Sequence, residues 1–388
     1  MLKTSSIAIV WTMGFLPFVA ADARGDFARC EAPPATPGDN SKHREEMLAL
    51  RQWWYQGERE LPSEIADDLA HWVADNPKDA EATFYLGVAH AYGLPGLERT
   101  DHKEAMRLLK TSAGLGFVPA QAHLGKLIIR EHDPNRRDEG LRLLKEAVAQ
   151  NDSDGLIWMS ELTLDGELDG VLNVDAVRRE LRKALELGNV RAHSLLAHCY
   201  EQEDASAKAV EELQAGEAAG DRESILELAN AKRTGTGTEQ DLEAAFALMR
   251  RAALMGSSVA MAEFGDMNRS GEGTESDLRR AFQWYESAAR AESGHGMQML
   301  ANAYLTGEGT KMNVSEGMKI LQQSAQRGDS NAECMLGRAY LEGLWVDRDL
   351  KKAREMFQSA ADRGSSQGAT YLKYMDMREQ KPSAQPAQ

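Results

Sequence analysis

A 36-residue beat runs through the second half of this chain: Gly235-Thr-Gly237, Gly271-Glu-Gly273 and Gly307-Glu-Gly309 recur at that spacing, and Ala253, Ala289, Ala325 and Ala361 keep the same interval. Asp241, Asp277, Asn313 and Asp349 follow it too. Self-similarity at a period of roughly 20 to 50 residues marks a solenoid, whose units can bury their apolar faces only against one another. That moves the functional question from a cleft to a surface.

Aligned on the glycines, each unit reads as helix A, a Gly-x-Gly loop, helix B and a second turn. Glycine at the end of helix A supplies positive φ without a Cβ penalty. Asp241, Asp277, Asn313 and Asp349 stand where helix B begins and can cap its free amides, and Asn313-Val-Ser-Glu316 has capping-box spacing. Pairs such as Phe264-Gly265, Leu300-Ala301 and Leu336-Gly337 place a large residue beside a small one, so that neighbouring helices approach closely. Carried backwards, the register gives helix A starts near Ala82, Ala120, Gly155, Ala192, Ser224, Ala260, Gly296 and Ala332, about eight units, with a partial ninth from Ser366 to Met377. Two early turns break the pattern. Arg130 to Arg137 replaces the glycine loop with a charged one containing proline, and Glu201 to Ser206 has no glycine, so their geometry should differ.

These residues resemble the Sel-one-like repeat (SLR) family, a relative of the tetratricopeptide repeat. The resemblance rests on Leu300-Ala301, Tyr304, Gly307, Gly309, Ala325 and Gly328, on Trp284-Tyr285 with Ala288-Ala289, and on Leu336-Gly337, Tyr340, Gly343, Ala360-Ala361 and Gly364. It covers roughly Asp79 to Gly368, is strong from Ser224 and weak between Arg130 and Asp221. It implies an all-α fold, a right-handed α/α superhelical solenoid with helical caps, and adaptor or recognition work.

The resulting division is a signal peptide over 1–23, an extended linker over 24–41, an N-terminal helical cap over 42–78, repeats over 79–365, a capping helix over 366–377 and a disordered tail over 378–388. Lys3, the apolar run Ile7 to Ala20 and the small residues Val19-Ala-Ala21 and Ala21-Asp-Ala23 form the three zones of a secretory signal. Gly14 and Pro17 leave that run short for a membrane span, so a soluble, exported protein of a bacterial periplasm is expected, without stable membrane insertion after cleavage. The cap reads as two amphipathic helices, Lys42 to Gln56 and Ser63 to Asp75, with Trp53, Trp54, Leu69 and Trp72 as their apolar content.

The chain has three cysteines. Cys199 and Cys334 lie several repeats apart in a solenoid that joins only neighbours, so they should not meet. Some secreted relatives staple each repeat with a cysteine pair; here Cys334 occupies the second position, but Ala325 occupies the first. A formal charge of −16 over 388 residues repels nucleic acid and anionic lipid and favours a basic protein partner.

No catalytic, cofactor-binding or metal-binding residue is expected. Gly364-Ser365-Ser366-Gln367-Gly368 matches a nucleophile elbow in spelling, but it joins two helices where the elbow needs a strand. Nine histidines include no His-Glu-x-x-His, and His193 and His198 are off the spacing that would share a helical face. Gly271-Glu-Gly273 is a turn and lacks the lysine of a phosphate loop.

With each helix A start as position 0, the family's packed positions 0, 4, 5 and 8 share one side at ~100° per residue, and positions 3 and 6 fall opposite. In tetratricopeptide-like superhelices that opposite side lines the concave face. Position 3 carries Tyr85, His123, Trp158, Leu195, Glu227, Glu263, Met299 and Met335; position 6 carries Val88, Lys126, Glu161, His198, Asn230, Asp266, Asn302 and Arg338. Aromatic and methionine side chains on an accessible face are typical recognition anchors. The expected partner-binding set is therefore Tyr85, His123, Trp158, His198, Glu227, Asn230, Glu263, Asp266, Met299, Asn302, Met335 and Arg338, with Glu227, Glu263 and Asp266 pairing with basic groups. The resemblance allows two versions: an envelope adaptor or regulator, or an immunity protein neutralising a secreted antibacterial effector such as a phospholipase. The rival class is a cell-envelope enzyme or peptidoglycan-binding factor, for which only Tyr85 and Trp158 offer flat aromatic rings on that face.

Overall fold

The computed structural model describes residues 47, 50, 65–92, 101–131, 133–168 and 173–379. The signal peptide, the linker, nearly all of the first cap helix and residues 380–388 of the tail lie outside them. The described residues form 18 helices and no strand. After α1 (Ile65–Asp75), A helices alternate with B helices: α2 (Ala80–Tyr92), α3 (His102–Gly114), α4 (Val118–Arg130), α5 (Arg137–Ala149), α6 (Ser153–Leu164), α7 (Val174–Glu186), α8 (Ala192–Glu201) and α9 (Ser206–Ala218). The stronger repeats follow as α10 (Arg222–Thr234), α11 (Leu242–Leu254), α12 (Ser258–Ser270), α13 (Leu278–Arg290), α14 (Gly294–Thr306), α15 (Val314–Gln326), α16 (Ser330–Glu342) and α17 (Leu350–Asp362), closed by α18 (Ser366–Glu379). Even numbers are A helices. Each packs on its own B helix and on the helices of adjacent repeats, the arrangement of an α/α solenoid.

The helix boundaries have local causes. Asp241, Asp277, Asn313 and Asp349 each accept a backbone N–H three residues on, at 2.9–3.2 Å, and so open α11, α13, α15 and α17. Gly235, Gly271, Gly307 and Gly343 end the A helices at φ 78°, 77°, 82° and 71°. The second glycine of the loop has a different reason to be small: a Cβ on Gly273 or Gly309 would collide with the backbone carbonyl of Leu242 or Leu278, the first residue of the preceding B helix. In the last repeat this position is Trp345, which itself adopts φ 62°. The irregular turns do differ. Helix α4 runs into Glu131 in a right-handed conformation, and after α8 it is Asp204 that takes positive φ, at 55°.

Position 5 of the A helices α2 to α16 is small: Gly87, Gly125, Ser160, Ala197, Ala229, Gly265, Ala301 and Gly337, all buried. A Cβ on Gly265 would lie 2.5 Å from the Tyr285 ring, and one on Gly337 2.6 Å from the Phe357 ring, so the B-helix aromatic fills the place of the missing side chain. In α18 the equivalent residue is Lys373, exposed. Buried Ile65 and Leu69 of α1 join Phe84, Leu108 and Ile128 in the first apolar cluster, and further clusters follow along the array. The smallest comprises Ala197, Ala209, Val210, Leu213 and Leu228, around α9. Cys199 and Cys334 are free and buried.

Candidate functional site

The A-helix face changes character along the array. In α2, α4 and α6 position 3 is core. Tyr85, His123 and Trp158 are 4%, 0% and 2% exposed, and Val88 at position 6 is also buried. The expectation that Tyr85, His123 and Trp158 are accessible anchors is therefore corrected. The cause is packing from repeat to repeat: His123 meets Trp158 edge to face with centroids 4.3 Å apart, and Phe84, next to Tyr85, meets His123 the same way at 4.9 Å. Tyr85 and Trp158, the two rings on that face weighed for glycan binding, are thus both buried.

A polar ladder continues from this stack. Burial holds the His123 imidazole below its ordinary value, and its Nε2 donates to Asp154 Oδ2 at 3.4 Å. Asn189 Nδ2 donates to Asp154 Oδ1 at 3.1 Å, and Arg191 lies 3.8 Å from the same oxygen. Burial would push the Asp154 carboxyl up, but the His123 hydrogen bond and the charge of Arg191 hold it below its ordinary value. Lys126 Nζ bonds Glu161 at 2.9 Å and stands 4.9 Å from the centre of the Trp158 ring. Burial lowers this ammonium to about 8.

From α8 onward the face opens. Leu195, His198, Glu227, Asn230, Glu263, Asp266, Met299, Asn302 and Met335 are half-buried, and Arg338 is exposed. Successive A helices are tied by side chains: His295 Nε2 to Asp266 at 2.6 Å between α14 and α12, and Gln298 Nε2 to Met335 Sδ at 3.3 Å between α14 and α16. Tyr285 Oη also donates to Asp266, at 2.7 Å. Burial alone would raise Asp266, but the His295 and Tyr285 bonds hold it down, while the same bond raises His295. Glu227 has no such relief. Burial pushes its carboxyl up to about 8, and the neighbouring charges that act on it, Glu223, Glu201 and Asp221, push the same way.

Sequence reasoning missed Asp154, Arg191, Glu223 and His295. All four stand one residue before position 0, hence four before position 3 and on the same face. That spacing was available in the sequence. The elbow-like Gly364 to Gly368 is the turn from α17 to α18, where Ser365 Oγ accepts the Gly368 N–H at 3.2 Å and serves as a helix cap. No group of three or more metal-ligating side chains occurs among the described residues, and no helix there is long and apolar enough to cross a membrane.

The Sel1 repeat model matches residues 80–117, 222–257, 258–293, 294–329 and 330–365. Among solved structures, a Sel1 repeat protein from Oxalobacter formigenes is 23% identical over 85% of this chain and 93% of its own, with a TM-score of 0.48. A protective antigen of uropathogenic Escherichia coli strains, displaying an SLR fold, is 22% identical over 85% of this chain and 78% of its own, with a TM-score of 0.37. An immunity protein from Pseudomonas aeruginosa is 20% identical over 45% of this chain and 68% of its own, with a TM-score of 0.33. No curated protein matches the chain. The five matched units identify Sel1 repeats at residues 80–117 and 222–365 of this chain, and such repeats are typically protein-interaction modules.

Proposed function

We propose that this chain is an exported, non-catalytic binding protein that holds a protein partner against the A-helix face of α8 to α16, as an envelope adaptor or regulator or as an immunity protein neutralising a secreted antibacterial effector such as a phospholipase. The observation that carries this reading is the pairing on one face of half-buried Met299 and Met335 with the carboxyls of Glu227, Glu263 and Asp266. Methionine adapts to irregular apolar contacts. Glu227, crowded by other carboxyls, is relieved by a cation brought to it, so a lysine or arginine of the partner fits there better than an acid. His198, Asn230, Asn302 and Arg338 supply hydrogen-bonding capacity around these anchors. Export rests on the charged, apolar and small-residue zones of residues 1–23.

Affinity capture from the cell envelope with the tagged chain identifies the partner, and titration of that partner against variants tests the surface. Met299→Ala with Met335→Ala, and separately Glu227→Lys with Glu263→Lys, are each expected to weaken binding by about 1–3 kcal/mol with the helical spectrum intact. Unchanged affinity in both would move the recognition surface away from this face.

A further inference from the structure

In the strong repeats the second loop glycine lies against the first residue of the preceding B helix, as Gly273 does on Leu242 and Gly309 on Leu278. The connection from α4 to α5 has no such glycine; it runs Arg130-Glu131-His132-Asp133-Pro134-Asn135-Arg136. Beside the start of α3, where the glycine would press, the surface holds a concavity of about 320 Å³, near the lower end of the ~300–1,000 Å³ range of small-molecule sites.

Its floor is apolar: Leu124 and Ile128, both buried, and half-buried Met106. The rim carries Lys103, Arg107 and Lys110 from α3 and Arg136 from the loop, with His102 beside them, against two carboxylates, Glu131 and Glu139. Those two carboxylates are already engaged. Glu131 takes His102 at 3.0 Å and Arg136, which also reaches Glu139 at 3.5 Å. Arg107 is held by Glu104 at 2.5 Å. Lys103 and Lys110, both exposed, add two further positive charges to the rim. On a chain of formal charge −16 the lining residues carry four permanent cations against two carboxylates, with Asp101 and Glu104 beside them, and screening over ~8 Å at physiological salt favours the near charges over the distant ones.

We propose that this cavity binds a small organic anion with a short apolar body. The Lys103 and Lys110 ammonium groups, with the Arg107 guanidinium, hold the head, and Met106, Leu124 and Ile128 cover the tail. The site is separate from the A-helix face and does not depend on the protein-binding reading.

Calorimetric titration of the full chain with octyl phosphate below its micellar concentration, inorganic phosphate and octanol tests it. Octyl phosphate is expected to bind at least about tenfold more tightly than inorganic phosphate, because the tail leaves water, and octanol is expected to give no saturable heat. Lys103→Glu with Lys110→Glu should weaken octyl phosphate by about tenfold or more through loss and reversal of the head-group charges. Lys311→Glu with Lys319→Glu, an equal change of net charge elsewhere, should leave it unchanged. Absence of binding, equal affinity for phosphate and octyl phosphate, or equal weakening in both double variants would overturn the proposal.

Discussion

Trp158 lies with His123 at its edge and the Lys126 ammonium over its face, 2% exposed. Removing it leaves a large void in a dry stack, so Trp158→Ala is expected to lose about 3–5 kcal/mol of stability in denaturant melts. Met299→Ala, at the same helical position but half-buried, should lose much less; similar losses would mean that the face is closed in the later repeats too. The loop glycines separate two effects. Gly364 has φ 89° and open space around a Cβ, whereas Gly309 has φ 70° and a carbonyl in the way. Gly364→Ala should therefore cost about 1–2 kcal/mol from backbone conformation alone, and Gly309→Ala clearly more in the same melt. Glu227 adds a pH dependence. Its folded-state carboxyl, raised from 4.5 to about 8, keeps a proton that the unfolded chain has already released between those values, so the group increasingly opposes folding as pH rises through that window. Glu227→Gln should then gain stability relative to the parent at pH 8 and little at pH 4, measured by urea unfolding at both. An equal gain at both would point to packing instead of charge.

Among the elements, the unit formed by α8 and α9 has two weakly secured helix starts. Helix α8 has 10 residues and no side-chain cap at Arg191, and α9 opens at Ala205 without a capping side chain. Two of the five buried residues in their shared cluster are alanines. Amide hydrogen exchange is expected to be faster through α9 than through α11 or α13. Ala205→Asp, which supplies the missing acceptor, should stabilise by about 1 kcal/mol. The sequence marked the turn between Glu201 and Ser206 as different in geometry, since it lacks glycine, just as it showed the caps at Asp241, Asp277, Asn313 and Asp349, because caps and positive-φ turns are chosen by residues close together in the chain. The accessibility of position 3 was not legible in the same way. Periodicity assigns Trp158 and Met299 to one face, but whether that face is closed depends on what the next A helix offers: His123 meets a tryptophan, whereas Glu227 is followed by Glu263. The cavity beside α3 was legible only as an odd loop. Its lining joins α3 to α4 and the loop that follows, residues about thirty positions apart, so no local pattern announces it.

At the scale of the whole array, each repeat leans on its neighbours, so local losses stay local and stability is close to a sum over adjacent interfaces. Such a stack carries no internal signal for how long it should be; every A helix with a small residue at position 5 offers a seat for one more B helix. Lys373 withdraws that offer. With Asp376, which bonds Arg354 at 2.7 Å, it puts charge where Gly337 and Tyr340 stand in the repeat before. The double variant Lys373→Gly with Asp376→Tyr is expected to associate in a concentration-dependent way by light scattering, and a variant as monodisperse as its parent would show that length is set elsewhere. One lysine thus acts as punctuation: a long charged side chain stands where every repeat before it holds a small one.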